Sequence, residues 1–301
     1  MLAAISKRKL THPIYQPAKI IKMKISNILQ EIEKVDGEIY ERLSPRRKAM
    51  KDFFRMGSKV AITAVPFGIG SMLTKAYGQA VPTGVIDVLQ YALKLEHFEA
   101  RFYANGYTAA PIPAGADKTA IMLIRDSEAK HVTFLQTVIT AANATPVAAK
   151  TTYDFTAGGT FPDVFTNYAT FLAVAQVLED TGVRAYKGRA GELLGQKVYL
   201  TAALGIHAVE ARHAAKIRYM RRMNGQAATI KPYITGGNDT GIAAVNNNYG
   251  GATPESNVIQ AGVTITGING KSITANAATE AFDEPLTPSE VLALVAPFGV
   301  S

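Results

Sequence analysis

The sequence contains no cysteine among its 301 residues. Disulfide bonds, thiolate metal sites and cysteine nucleophiles are therefore excluded, and any bound metal must be held by histidine and carboxylate side chains. Charged residues make up 19% of the chain and apolar residues 48%, which is the composition of a globular protein rather than a disordered one. The length is sufficient for one large domain or two small ones.

The body of the chain also lacks a net charge. Residues 1–59 hold 14 Lys and Arg against 6 Asp and Glu, whereas residues 60–301 hold 18 of each class, so the whole formal excess of +8 is N-terminal. A basic segment before a neutral body favours targeting or attraction to a membrane surface over a face that binds duplex nucleic acid. We therefore expect no nucleic-acid partner.

The uncharged run of the N-terminal segment, residues 60–73, is interrupted by one proline and two glycines. It is too short and too broken for a comfortable transmembrane helix. The run follows the basic pair Arg46 and Arg47 and ends near the small residues at 78–80. This order of basic, apolar and small residues is typical of an export signal.

The arginine pair together with Lys51 resembles a twin-arginine signal, the type that exports proteins already folded and loaded with metal. Ala49 and Met50 stand where that signal prefers a large apolar pair. We interpret residues 1–80 as a leader and expect a periplasmic or other extracytoplasmic location. The alternative is a hydrophobic segment that stays in the mature chain, buried or in contact with a membrane. Met23 is an alternative start, because the residues before it show no helical or strand pattern.

Four long segments with the apolar spacing of helices follow the leader, at residues 83–106, 117–141, 163–190 and 194–223. Asp117 is a plausible N-cap for the second segment, and the pair Pro162–Asp163 predicts the start of the third. Gly225 predicts the end of the fourth. The pattern indicates an all-α fold with a four-helix bundle over residues 81–225.

Polar residues inside these apolar faces repeat in the same order in both halves of the bundle. The first and third segments each carry a glutamate with a tyrosine seven residues later, and the second and fourth each carry a glutamate with a histidine three residues later. In chain order these residues are Glu96, Tyr103, Glu128, His131, Glu179, Tyr186, Glu210 and His213. The repeat predicts that the two halves contribute equivalent side chains to one site.

Steps of three and seven residues keep side chains on one face of a helix, so a bundle would bring four carboxylates and two imidazoles to one level of its core. Isolated ionisable groups are costly there unless a charge pairs with them, and two divalent cations would balance four carboxylates. A set rich in oxygen donors suits iron or manganese better than zinc or copper. Glu99 lies one turn after Glu96 and competes with it, but only Glu96 keeps the seven-residue step to Tyr103. The predicted metal ligands are Glu96, Glu128, His131, Glu179, Glu210 and His213.

Other polar residues near these motifs have ordinary structural interpretations. We predict that His207 is a packed or hydrogen-bonded core histidine and that His97, which points about 100° away from its neighbour Glu96, serves no site. Tyr103 and Tyr186 are expected to be core aromatics with satisfied hydroxyl groups. Asp180 is either an acceptor behind the ligands or a surface residue. The basic end of the fourth segment is interpreted as a solvated face, made of Arg212, Lys216, Arg218, Arg221 and Arg222.

Residues 226–301 change in character and are rich in turn signals such as GGNDTG and NNNYGG. The alternating stretch AGVTITGI predicts a hairpin or a short sheet. Thr287, Pro288 and Glu290 predict a capping box and a short final helix. This C-terminal extension is expected to cover the bundle or to make subunit contacts in a homo-oligomer. It contains no phosphate loop, Ser/His/Asp set or nucleotide fingerprint.

Several segments of the sequence resemble the ferritin-like superfamily of di-iron and di-manganese carboxylate proteins, and more narrowly the bacterial ferritin-like domain family often labelled desiccation-related. The segments are LEHFEARFY (95–103), DSEAKH (126–131), LEDTGVRAYKGRA (178–190) and VEARHAAKIR (209–218), with YGG near 249 and AFDEPLTPSEVLALVAPF near the C-terminus. The resemblance runs from about residue 83 to the end. It implies a ferritin-like four-helix bundle in which every ligand position is present.

The leader predicts export, and the resemblance implies a protein that binds two Fe or Mn ions and oxidises Fe(II) or removes peroxide under stress, with dioxygen or peroxide as its reaction partner. No catalytic residue beyond the metal ligands is predicted. One alternative is a manganese catalase-like enzyme, which uses the same ligand types with a different metal. The other is a metal-free structural or desiccation-protective protein in which the ligand set is vestigial.

Overall fold

The computed structural model describes residues 81–237 and 240–301. The leader predicted at residues 1–80, with its export signal, lies outside this part of the chain. Within the described ranges, no helix combines the length and the apolar character needed to cross a membrane.

Four long helices form the bundle: α1 (Thr83–Ala109), α2 (Ala116–Ala141), α3 (Tyr168–Ala190) and α4 (Lys197–Met223). Helix α1 packs along α2 and α3 packs along α4, while α1–α3 and α2–α4 contacts join the two pairs. The connections within each pair are short, and the second contains a 3-10 turn at Gly191–Leu193. Short connections make neighbouring helices antiparallel, so the predicted all-α, ferritin-like four-helix bundle is confirmed.

Three of the predicted helix starts were wrong, and that of α4 is Lys197 rather than residue 194. Helix α3 begins at Tyr168 rather than at Asp163, because the Asn167 side chain accepts hydrogen bonds from the first free backbone N–H groups of the helix. Residues before it form turns instead. Helix α2 is preceded by Gly115 as N-cap, and Asp117 lies inside the first turn. An acidic residue there still favours the positive end of the helix dipole.

The described core consists of two apolar clusters at opposite ends of the bundle. One cluster includes Val88, Leu93, Leu135 and Ile139. The other includes Phe98, Phe102, Ile121, Phe171 and Ile217. Helices α1, α2 and α4 each run from one cluster to the other and pass through a polar level between them. The glutamates and histidines of the repeated motifs lie at this level.

The connection from α2 to α3, residues 142–167, closes one end of the bundle with aromatic side chains. The ring of Phe155 lies 5.6 Å from that of Phe98, and Phe165 lies 5.7 Å from Phe102. Phe102 in turn stacks on Phe171 of α3 at 5.1 Å. Aromatic pairs of this kind contribute about 0.5–1.5 kcal/mol each beyond the area that they bury. They fix the long connection to the helices.

The C-terminal extension contains short elements separated by turns. They are the 3-10 helices Ala243–Tyr249, Ile268–Gly270 and Ala296–Phe298, the strands β1 (Ile259–Gln260) and β2 (Val263–Thr264), and the helices α5 (Ala275–Thr279) and α6 (Pro288–Val295). The strands pair antiparallel, as the alternating pattern predicts. Thr287 and Glu290 form the predicted capping box at the start of α6.

Arg184 of α3 fixes the extension to the bundle. Its Nε donates to the carbonyl oxygen of Glu284 at 2.8 Å, and its Nη2 donates to the carbonyl oxygens of Gly250 and Thr253 at 2.8 and 3.0 Å. The buried carboxylate of Glu255 lies 2.8 Å from Nε. A fully buried guanidinium needs partners for its five donors, and here the extension supplies them.

The basic end of α4 is not uniformly solvated, so that prediction was wrong for Arg218 and Arg221, both of which are buried. Arg218 binds Asp180 through Nε at 3.0 Å and Nη2 at 2.6 Å, and Tyr249 of the extension donates to the same carboxylate at 2.5 Å. Arg221 donates to Gln176 at 2.7 Å. Asp180 is therefore a buried acceptor and not a surface residue. The extension covers this face of the bundle, which helical spacing alone cannot reveal.

Gly188 marks the closest approach between the extension and α3. A Cβ placed at Gly188 would lie 1.9 Å from the carbonyl oxygen of Leu286. We predict that Gly188→Ala displaces this segment and lowers the free energy of unfolding by about 1–3 kcal/mol, because overpacked sites force backbone shifts. Urea unfolding followed by circular dichroism measures the change.

The matched control is Gly205→Ala on α4, where an added Cβ meets nothing within 4 Å. Alanine in an open helical position should raise stability by up to about 1 kcal/mol, because it restricts the unfolded chain. Equal stabilities for Gly188→Ala and the unchanged protein would contradict the close packing.

Candidate metal centre

The six side chains predicted as ligands converge at the polar level of the bundle. The four glutamates have no exposed surface and the two histidines are each 8% exposed. Helices α1 and α3 supply one residue each, and α2 and α4 supply two each, one helical turn apart. The structure thus brings together Glu96, Glu128, His131, Glu179, Glu210 and His213.

Their donor atoms form two overlapping groups, and within each group one donor atom per residue lies within 4.8 Å of the others. The first group is Glu96, Glu128, His131 and Glu210, and the second is Glu128, Glu179, Glu210 and His213. Glu128 and Glu210 belong to both groups. Such a set can hold two adjacent cations with two carboxylates between them.

Distances within the first group match those between neighbouring ligands of one cation. His131 Nδ1 lies 3.1 Å from Glu96 Oε2, 3.0 Å from Glu128 Oε2 and 3.2 Å from Glu210 Oε1. Two donor atoms bound at about 2.1 Å and at right angles to each other are about 3.0 Å apart. The imidazole and the three carboxylates are therefore close enough together to share one ion.

Several buried donor atoms of the second group have no hydrogen-bond partner among the described residues. They are Glu128 Oε1, Glu179 Oε2, both carboxylate oxygens of Glu210, and His213 Nδ1. His213 Nδ1 lies 2.6 Å from Glu128 Oε1 and 3.4 Å from Glu179 Oε2 without hydrogen-bond alignment. Buried polar atoms are normally partnered, so this arrangement fits a cation at the point where the donor atoms converge.

The two tyrosines of the repeat each bind the glutamate of the opposite half. Tyr103 on α1 donates its hydroxyl to Glu179 Oε1 on α3, and Tyr186 on α3 donates to Glu96 Oε1 on α1 at 2.5 Å. The predicted role as core aromatics with satisfied hydroxyl groups is thus correct but incomplete. Each phenol also fixes the orientation of one carboxylate that belongs to a single donor group.

Burial and neighbouring charges shift the pKa values of these groups in opposite directions. Burial alone would lower the pKa of each imidazole, but the adjacent carboxylates outweigh burial. They raise the pKa of His213 to about 11 and that of His131 well above its usual value. Burial alone would raise the pKa of Glu128, but both histidines lower it to about 2. Burial raises the pKa of Glu96 to about 7 and that of Glu210 well above its usual value. Cations therefore compete with protons for these side chains.

The remaining histidines lie outside both donor groups. His97 Nε2 lies 3.1 Å from the carbonyl oxygen of Val147, and His97 belongs to neither donor group. His207 is half-buried, and burial lowers its pKa. Glu99 is buried beside the site but belongs to neither donor group, whereas Glu96 belongs to the first.

Gly182 is a site residue that the sequence reasoning missed. A Cβ at this position would lie 3.0 Å from Glu210 Oε2 and 3.4 Å from Glu99 Oε1. Gly182 follows Glu179 by three residues and so shares its helix face. That spacing was the available signal, but glycine carries no donor atom that would draw attention to it.

Residues 84–222 match the family model of the ferritin-like domain. A comparison with curated proteins yields no match. The matched range contains the four bundle helices except for the first residue of α1 and the last of α4, and it includes all six converging side chains. The four-helix bundle and the family match together support a ferritin-like domain at residues 84–222.

Proposed function

We propose that this domain holds a dinuclear centre of two Fe or Mn ions and that the protein uses it to oxidise Fe(II) or to remove peroxide. The observation that carries the proposal is that Glu128 and Glu210 belong to both donor groups. Two adjacent cations explain such sharing, whereas a single ion held by one group would leave two of the six residues without a role. Bound Fe or Mn would supply redox chemistry towards dioxygen or peroxide.

The donor groups give each residue a place in the proposed centre. Glu96 and His131 would hold one cation, Glu179 and His213 would hold the other, and Glu128 and Glu210 could contribute to both. Four carboxylates balance the charge of two divalent ions, and neutral imidazoles complete the set. The excess of oxygen over nitrogen donors favours iron or manganese.

The rest of the bundle would orient the ligands and exclude water. The two apolar clusters close the polar level from both ends, which keeps the surroundings of the ligands at low dielectric. Tyr103 and Tyr186 hold the outer carboxylates of Glu179 and Glu96 in fixed orientations. These groups position the ligands, and no further side chain of the described chain is assigned to the reaction.

We predict that the purified protein, after reconstitution at pH 7.5, binds two Fe or Mn ions per chain. Glu210→Ala should lose both ions because it removes a shared ligand, whereas Glu179→Gln should weaken only one because Glu179 belongs to a single group. Inductively coupled plasma mass spectrometry of the desalted protein measures the bound metal.

Asp87→Asn is the control for this measurement, because Asp87 is an exposed carboxylate on α1 outside both groups. Its metal content should equal that of the unchanged protein. If the unchanged protein binds no metal after reconstitution, the dinuclear centre is refuted and the metal-free structural or desiccation-protective role takes its place.

The redox part of the proposal predicts a change in absorbance when Fe(II) and oxygen are added to the metal-free protein. We expect oxidation at least tenfold faster than in Glu210→Ala, since that variant lacks the shared ligand. Peroxide consumption by the Mn form but not the Fe form would select the manganese catalase-like alternative. A fully metal-loaded protein that shows neither reaction would contradict a redox role.

We also propose that the protein is exported through the leader at residues 1–80 and acts in a stress response, as in the desiccation-related family that its bundle and C-terminal motifs resemble. The arginine pair, the basic charge and the short apolar run support export. N-terminal sequencing of protein from the native cell should find a start just after Ala80. An intact Met1 or Met23 would argue against cleavage.

A further inference from the structure

Glu99 is a buried carboxylate that the six-ligand set leaves without a function. It lies on α1 one turn after Glu96 and is 5% exposed. Within residues 81–237 and 240–301, no group donates a hydrogen bond to it, and it forms no ion pair. A buried carboxylate without a donor or a counter-charge is unfavourable in its charged form, and a bound cation would remove this cost.

The carboxylate of Glu99 is directed towards the candidate centre. Glu99 Oε1 and Glu210 Oε2 border the same small space in front of Gly182, at 3.4 and 3.0 Å from the position of an added Cβ. Both oxygens of Glu210 lack hydrogen bonds within the described chain. Burial, followed by the charges of Glu210, Glu96 and Glu179, raises the pKa of Glu99 well above its usual value. Glu99 is thus exposed to the electrostatic field of several ligand carboxylates.

Gly182 keeps this space open. A Cβ at this position would be in tight contact with Glu210 Oε2 at 3.0 Å and in van der Waals contact with Glu99 Oε1 at 3.4 Å, so any larger side chain would crowd this space. Helix α3 therefore contributes Glu179 to the second donor group. One turn later, Gly182 leaves a space on the same helix, and the Glu99 side chain extends into this space from α1.

We propose that Glu99 is a seventh ligand residue, whose carboxylate binds the cation pair on the side of the centre next to Glu210, in the space left by Gly182. This inference rests on the proposed dinuclear centre and extends its ligand set from six residues to seven. Glu99 would add a fifth carboxylate and so one more negative charge than two divalent ions balance. The added charge should strengthen cation binding.

The test uses Co(II) as the probe, because its visible absorption reports coordination number and its binding is measured without turnover. Full-length, metal-free protein is titrated with Co(II) in the unchanged form, Glu99→Gln and Gly182→Ala. We expect the weaker of two Co(II) ions to bind at least tenfold less tightly in both variants, with altered visible bands. Asp87→Asn is the control for the lost charge, and Gly205→Ala is the control for the added methyl group. Both should leave the Co(II) affinity and the visible bands unchanged.

The possible results separate this inference from the proposed function. Two Co(II) ions bound with unchanged affinity and bands in Glu99→Gln would overturn the seventh ligand and leave the six-residue centre intact. If the unchanged protein binds no Co(II), Mn(II) or Fe(II), the centre and the seventh ligand both fail. A change in Glu99→Gln alone supports Glu99 and refutes the role of Gly182. If Glu99→Gln does not fold, Glu99→Asp, which keeps the charge but shortens the side chain by one methylene group, decides the question, and unchanged Co(II) affinity and bands in that variant would overturn the seventh ligand.

Discussion

The burial of ionisable side chains at the middle of an apolar bundle is the constraint on which the rest of this structure depends. Four glutamates with no exposed surface share one level of the core with two histidines. Such a level is stable only if positive charge is present there. Without metal, the raised pKa values of His131 and His213 let protonated imidazoles supply that charge. In the proposed centre, cations replace the protons and the same side chains become ligands.

Helical periodicity made the convergence of the six residues predictable. Glu128 and His131 must share a helix face because three residues span less than one turn, and the duplicated spacing placed Glu210 and His213 in the same relation. The partner of each tyrosine was not predictable in this way. Tyr103 follows Glu96 on one helix, yet it binds Glu179, because lateral neighbours depend on how helices pack and not on spacing within one of them.

The C-terminal extension shows a second limit of sequence reasoning. The short helix and the hairpin were readable, because capping and alternation are local signals. The attachment to the bundle was not, since Arg184 binds mostly backbone carbonyl oxygens, which every residue type provides. Likewise, the face of α4 that carries Arg218 has the polar pattern of a solvated surface. Only the covering segment with Tyr249 turns it into an interior ion pair with Asp180.

The tyrosine of each half binds a glutamate of the other half, so the bundle has the contact pattern of a two-fold symmetric dimer within one chain. In such a dimer, if residue i of the first subunit contacts residue j of the second, then residue j of the first subunit also contacts residue i of the second. Tyr103 with Glu179 and Tyr186 with Glu96 obey this rule. Neither helical hairpin therefore contains a complete set of contacts for its own carboxylate. The site is complete only when the two hairpins dock, so its geometry depends on the contact between them.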